Sequence, residues 1–300
     1  MMRKIAVFLL IVLITSACGS RSAQVASHIS SWSFPASDFK SISLANDAGD
    51  VVVRQTTGSD ILLTATKSAR SLEDLDGVNV DVQQIGDTIS GTLNYLPGSW
   101  SVSVAFEIEV PPNVSVQIES ASGDIRIENY QGTLNLSTLS GTLVMHNING
   151  EIQANTANGN IEARDVDGNV NVSSSSGDIL VSYSVPPQLM NDPVLLTDVL
   201  EMWTYRLEPD GIQNSSSPKL PGNGQRIFEN SSGAITLQFP RDLQVDIFAQ
   251  LFSSNFKSEF DQLQSSADNV RHTGHINGGG PLIILTNASG AIDVQELRIP

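Results

Sequence analysis

Glycine recurs every nine residues through the middle of this chain, at positions 123, 132, 141, 150, 159, 168 and 177. Two and four residues after each glycine stand Ile125 and Ile127, Leu134 and Leu136, Leu143 and Met145, Ile152 and Ala154, Ile161 and Ala163, Val170 and Val172, and Ile179 and Val181. All fourteen are apolar, and the residues between them are mostly polar, among them Arg126, Asn135, Gln153, Glu162 and Asn171. An apolar–polar alternation of period two is a strand with one dry and one wet face. Each unit therefore predicts a five-residue strand followed by a four-residue turn, with glycine supplying the backbone freedom that the turn needs.

Nine-residue strand–turn units can build an antiparallel meander or a solenoid. A second period, twice the first, favours the solenoid. Ser122-Gly123, Ser140-Gly141, Asn158-Gly159 and Ser176-Gly177 form one kind of turn. Asn129-Tyr-Gln-Gly132, Asn147-Ile-Asn-Gly150 and Asp165-Val-Asp-Gly168 form another, alternating with the first. A meander gives no reason for alternate turns to match. In a parallel β-solenoid whose rungs each comprise two such units, like turns lie above one another. Polar ladders are then expected at Asn129/Asn147/Asp165 and Thr138/Thr156/Ser174. Such rungs bury a core only by stacking.

The phrase returns outside the regular block: Gly49 with Val51 and Val53, Gly233 with Ile235 and Leu237, and Gly290 with Ile292 and Val294. Pro111, Pro112 and Pro240 stand at strand ends. Residues 35 to 110 alternate less regularly and read as an irregular β N-terminal cap, with SLEDLDG (71 to 77) as a loop or one helical turn. Residues 185 to 230 interrupt the repeat as a short helical and loop insert. Within it, Val194 to Leu207 has helical spacing after Asp192-Pro193. The fold class expected is all-β, one parallel β-solenoid domain over residues 35–300.

The start of the chain has its own grammar. Arg3 and Lys4 precede a 12-residue apolar run, Ile5 to Ser16, too short for a transmembrane helix and suited to the core of an export signal. Ser16 and Ala17 then lead into Cys18, the only cysteine. Residues 1–17 are read as a lipoprotein signal peptide, Cys18 as the lipid attachment site, and the Ser-rich residues 18–34 as a flexible tether. Thr15 departs from the leucine usual in a lipobox, and an ordinary secretory signal is the alternative. With one cysteine no intrachain disulfide is available. The formal net charge is −16, and losing Arg3 and Lys4 with the leader takes it to −18. Such an acidic chain is poorly suited to nucleic acid or to electrostatic docking on anionic lipid.

The SGDI phrases at 122–125 and 176–179, together with VPPNVSVQIESASGDIRIENYQG and INGGGPLIILTNASGAIDVQ, resemble the bacterial putative-adhesin domain of unknown function. The resemblance spans roughly residues 38 to 299. It implies a β-solenoid and carries no catalytic residue. Fold alone does not set function.

Four groupings invite chemistry. His272 and His275, with Asp268, raise a metal site, although the spacing lacks the i, i+4 pattern of helical zinc ligands. Glu107 and Glu109 share a strand face as paired glycosidase carboxylates would, or as the wet face of an amphipathic strand. Glu128, His146 and Arg164 form an outward stack that a polysaccharide-cleaving solenoid could use. Asp50, Asp124 and Asp178 stand in turns reminiscent of calcium-binding repeats. None amounts to a catalytic, cofactor or metal constellation, and none of these is expected. The function expected is a non-enzymatic envelope lipoprotein, membrane-bound through Cys18, presenting a surface to a protein or polysaccharide ligand. A structural or regulatory envelope component and a polysaccharide-active enzyme are the alternatives.

Overall fold

All fourteen apolar positions of the nine-residue block face inward, none more than 2% exposed. The computed structural model describes residues 8–10, 26–97, 101–183, 226–241, 243–252 and 255–298. These form an almost wholly β structure that divides into two compact units, Met1–Glu162 and Ala163–Pro300.

The strands of the first unit are β1 (Phe8–Leu10), β2 (Ala26–Pro35), β3 (Ser41–Ala48), β4 (Val51–Gln55), β5 (Asp60–Ala69), β6 (Val78–Ile85), β7 (Thr88–Tyr95), β8 (Ser103–Val110), β9 (Ser115–Ser122), β10 (Ile125–Ser140) and β11 (Leu143–Asn158). β10 and β11 pair in parallel at a constant offset, with Ile125 beside Leu143 and Leu134 beside Ile152. This is the solenoid register expected from the matching turns. Two buried columns result. One runs Phe106, Val51, Ile125, Leu143. The other runs Ile89, Ile42, Val116, Leu134, Ile152.

Residues 35–110 are more regular than their sequence predicts. β3–β4 and β7–β8 are rungs, parallel to their neighbours, and β7–β8 stacks outside β3–β4 although it follows in the chain. The antiparallel strands β5 and β6 then cover β8 and β7, which protects the unpaired backbone of the terminal rung. The SLEDLDG segment makes one helical turn, α1 (Leu72–Leu75), capped by Ser71 Oγ accepting from the Asp74 N–H at 3.2 Å.

The tether reading needs correction. Its second half is strand β2, antiparallel to β5 along ten residues from Ala26 to Pro35. Serines that read as flexible composition bond across the pair: Ser31 Oγ shares a hydrogen bond with Thr64 Oγ1 at 3.1 Å, and Ser33 Oγ donates to Asp60 Oδ2 at 3.1 Å. Phe34 is buried against Phe39 in an edge-to-face contact. Strand β1, from Phe8 to Leu10, lies antiparallel to β2.

The second unit holds β12 (Ile161–Ser176) from residue 163 on, β13 (Ile179–Tyr183), β14 (Arg226–Asn230), β15 (Ile235–Phe239), β16 (Val245–Leu251), β17 (Phe256–Ser258), β18 (Gln264–Ser265), β19 (Arg271–Ile276), β20 (Leu282–Asn287) and β21 (Ile292–Glu296). Its parallel columns are Val172, Phe228, Leu285, Ala249 and Val181, Leu237, Val294, Ser258. The last rung in sequence, β20–β21, is inserted between β14–β15 and β16–β17. The antiparallel β19 covers β16. Residues 226–230, read from sequence as the end of the insert, are thus a rung strand. The helix expected over Val194 to Leu207 lies outside the described residues.

The two kinds of turn are built differently. Asn129, Asn147 and Asp165 all take left-handed backbone, with φ of 52°, 55° and 54°, a conformation that Asn and Asp tolerate best among residues with a side chain. The residue after each, Tyr130, Ile148 or Val166, then turns into the core. What reads as a polar loop is a corner of the rung. At the other turn, a polar residue three before the glycine is buried instead: Asn46, Ser120, Thr138 and Thr156 in the first unit, and Ser174, Asn230 and Asn287 in the second. Asn46 Nδ2 donates to Gly49 O at 2.7 Å, and Asn287 Nδ2 donates to Gly233 O at 2.9 Å and Ala291 O at 3.1 Å.

Candidate binding groove

Most groupings singled out from sequence resolve into parts of the stacking machinery. Asn147 Nδ2 donates to Asn129 Oδ1 at 2.8 Å, the ladder expected at that corner. Thr138 lies beside Thr156 in register, both buried. The turn aspartates serve the neighbouring rung. Asp50 Oδ1 accepts from Asp124 N–H at 3.0 Å, Asp124 Oδ1 from Thr142 N–H at 2.8 Å, and Asp178 Oδ1 from Ala234 N–H at 2.8 Å. Their carboxylates satisfy turn amides that a parallel ladder alone leaves over.

Glu107 and Glu109 are exposed on β8, as the wet-face reading has it. Glu109 pairs in register with Arg54, Arg54 with Glu128, and Glu128 with His146. The Arg54 Nε–Glu128 Oε2 separation is 3.9 Å. Setting Arg54 between Glu109 and Glu128 relieves the repulsion that like charges would suffer one rung apart. Arg164 belongs to the second unit and lines the groove described below.

His272 and His275 fall on opposite faces of β19. His272 is buried, stacked on Phe256 with ring centroids 3.9 Å apart, and its Nδ1 meets Ser265 Oγ at 2.8 Å. Burial holds its pKa below the ordinary imidazole value. His275 is exposed and holds Asp246 Oδ1 through Nδ1 at 2.7 Å. Asp268 accepts from Ser266 Oγ and from the Val270 N–H. The three do not converge, and among the described residues no group of three or more His, Cys, Asp or Glu is arranged to hold a metal.

The chain re-enters the second unit at Arg226, which is 2% exposed in a core position facing Ile283 of the next rung. Burial lowers its pKa, opposed by charge interactions with Tyr183 and Asp167. Tyr183 ends the strand before the insert, and burial pushes its phenol upward. A buried cation and a buried phenol thus mark the two ends of residues 184–225. Sequence reasoning missed both, because neither departs from the local pattern of its own segment.

A groove of about 540 Å³ lies in the second unit. Its lining includes Ser182, Gln238 and Gln295, which stand in register on β13, β15 and β21. Gln238 Nε2 donates to Gln295 Oε1 at 2.9 Å, and Gln295 Nε2 donates to Asp293 Oδ2 at 2.8 Å. Beside Ser182, whose Oγ accepts from the Asp165 N–H at 3.3 Å, stand Arg164 and Asp165. Beside Gln295 stand Glu259, Glu296, Leu297 and Arg298. Glu259 is held twice: Oε1 by the Arg298 guanidinium at 2.9 Å and Oε2 by the Glu296 N–H at 2.9 Å. Among the described residues Leu297 is the single apolar one of the lining. The sequence offered no signal for this site, since its residues are drawn from positions 164 to 298, and the displaced strand β21 brings Gln295 and Glu296 beside Gln238 and Phe239.

Among the described residues no helix is long and apolar enough to cross a membrane. Cys18 lies outside the described residues.

No curated protein matches the chain. Among solved structures it is similar to a putative cell adhesion protein from Clostridium sporogenes, at 9% identity and a TM-score of 0.36, covering 91% of this chain and 100% of that one. It is also similar to a putative adhesin from Bacteroides fragilis, at 12% identity and a TM-score of 0.35, covering 92% of this chain and 98% of that one. Residues 107–191, which hold both SGDI phrases, match the family model described as Toastrack DUF4097, in line with the adhesin-like domain of unknown function that those phrases resemble.

Proposed function

We propose that this chain is a lipid-anchored protein of the cell envelope that acts by binding rather than by catalysis, holding a protein or glycan against its solenoid surface. The groove of the second unit carries the reading. Its Glu259 carboxylate is committed to structure, shared between the Arg298 guanidinium and the Glu296 amide, and its glutamine amides are chained to each other and to Asp293. A general acid or base must be poised to exchange a proton with its substrate. Groups locked in this way instead present fixed donors and acceptors, which suits recognition. The leader, with Arg3, Lys4, the apolar run and Cys18, supports export and anchoring.

The reading is tested by expressing the chain and its Cys18→Ser variant in a bacterial host fed labelled palmitate. The wild type is expected to take up label and fractionate with membranes, and the variant to lose both. A variant that stays labelled and membrane-bound contradicts the anchor. A turnover of polysaccharide that disappears with a single carboxylate substitution contradicts the binding role.

A further inference from the structure

We propose that the groove along Ser182, Gln238 and Gln295 is a binding site for a neutral, hydroxyl-rich glycan chain lying across successive rungs. This deepens the binding role proposed above and rests on it.

The backbone of β13, β15 and β21 is already paired in the parallel ladder. An entering chain therefore finds no free sheet edge here and is recognised by side chains alone, which disfavours a peptide bound by strand addition. The side chains on offer are two carboxamides, three carboxylates and two guanidinium groups, around one leucine, with the Ser182 hydroxyl buried beneath and taken by the Asp165 N–H. Peptide-binding grooves draw affinity from apolar and aromatic anchors, and this lining provides one apolar residue. Sugar hydroxyls both donate and accept. They match a surface on which carboxamides offer both roles, carboxylates accept and guanidinium groups donate.

The charge balance narrows the class further. Asp165, Glu259 and Glu296 outnumber Arg164 and Arg298, and Arg298 is engaged by Glu259. A polyanionic glycan would meet net negative charge in the groove and on the chain as a whole, which carries −16. A neutral glycan meets no such opposition. Ser182, Gln238 and Gln295 repeat one position of the rung at the strand spacing of about 4.8 Å. Polar groups are thereby spaced along the stack rather than clustered at one point, as an extended chain requires.

The experiment uses the full-length chain carrying Cys18→Ser, applied to parallel arrays of neutral oligosaccharides, uronate oligosaccharides and peptides. Retention of neutral oligosaccharides is expected, weakened tenfold or more by Gln238→Ala and by the rim substitution Arg164→Ala. Asn135→Ala, on an outward position of the first unit, is expected to leave binding unchanged. Melting curves establish that each variant is folded, and the exposed Arg164 keeps the test valid if a ladder variant fails to fold. Neutral-glycan binding that ignores both groove variants overturns the site while leaving the binding role intact. Retention of uronates or peptides alone, or of nothing on the arrays, overturns the glycan class.

Discussion

A β-carbon on Gly159 would stand 2.0 Å from the carbonyl oxygen of Gly141, one rung earlier in the stack. Gly141 stands in the same relation to Gly123, at 2.1 Å, and Gly123 to Gly49, at 2.2 Å. The period-nine glycine is thus imposed at these turns by the backbone of the next rung, in addition to any demand of the turn itself.

Gly159 separates the two demands, because its backbone is outside the left-handed region while its steric conflict remains. Gly86 is the converse, with φ of 64° and open space around it. Gly159→Ala is expected to destabilise the protein by about 2–3 kcal/mol, in the range of an overpacked core site. Gly86→Asn is expected to change stability by less than about 0.5 kcal/mol, since Asn accepts left-handed backbone. Denaturant titration of both variants checks the contrast, and equal losses would remove the stacking explanation.

Asn287 is fully buried, and its side chain holds three backbone groups: Gly233 O, Ala291 O and the Ser289 N–H at 3.2 Å. Truncation strands all three away from water. Asn287→Ala is expected to cost about 2–4 kcal/mol, several unsatisfied groups at roughly 1 kcal/mol or more each. Asn287→Thr should recover part of the loss, because Thr138 and Thr156 occupy the equivalent place in the first unit. Thermal melting of the pair of variants measures the difference.

His272 makes stability depend on pH with a defined sign. Burial keeps its folded pKa below the free imidazole value of about 6.5. Above that value both folded and unfolded chains are neutral at this site, and its contribution is fully present. As pH falls below about 6.5 the unfolded chain takes up a proton that the folded chain resists, and stability drops by up to about 1.4 kcal/mol per pH unit. His272→Gln is expected to flatten this acid limb relative to the wild type. An identical slope in the two proteins would mean that His272 carries no part of it.

The regular block was legible because two periods coincide there. Apolar residues two and four after each glycine mark the strands, and the matching of alternate turns marks the rungs. Two of the other rungs were less legible for a topological reason. β7–β8 and β20–β21 each stack out of chain order, and local alternation does not say which neighbour a strand will choose. The buried residues at 46, 120, 138, 156, 174, 230 and 287 follow an Asn/Ser/Thr-x-x-Gly spacing that is visible in sequence. They look like loop polarity until the fold shows them facing the core. The run from Ser27 to Ser33 misleads in the same way: SHISSWS reads as tether, yet its hydroxyls include cross-strand partners on β2. The groove was beyond reach, because Arg164, Gln238, Glu259 and Arg298 share no motif and come together only in the folded second unit.

Parallel stacking of two-strand rungs at a constant register sets every ladder and the groove alike. Asn135 and Gln153 are paired neighbours on outward positions of β10 and β11. Neighbouring strands lie about 4.8 Å apart, within the roughly 4.4–6.8 Å between α-carbons that a disulfide can span. In a Cys18→Ser background, Asn135→Cys with Gln153→Cys should form an intramolecular disulfide under mild oxidation, seen as a loss of both free thiols. Asn135→Cys with Val144→Cys, a pair that an antiparallel hairpin would bring together, should retain its thiols. Bonding in the second pair and not the first would contradict the solenoid.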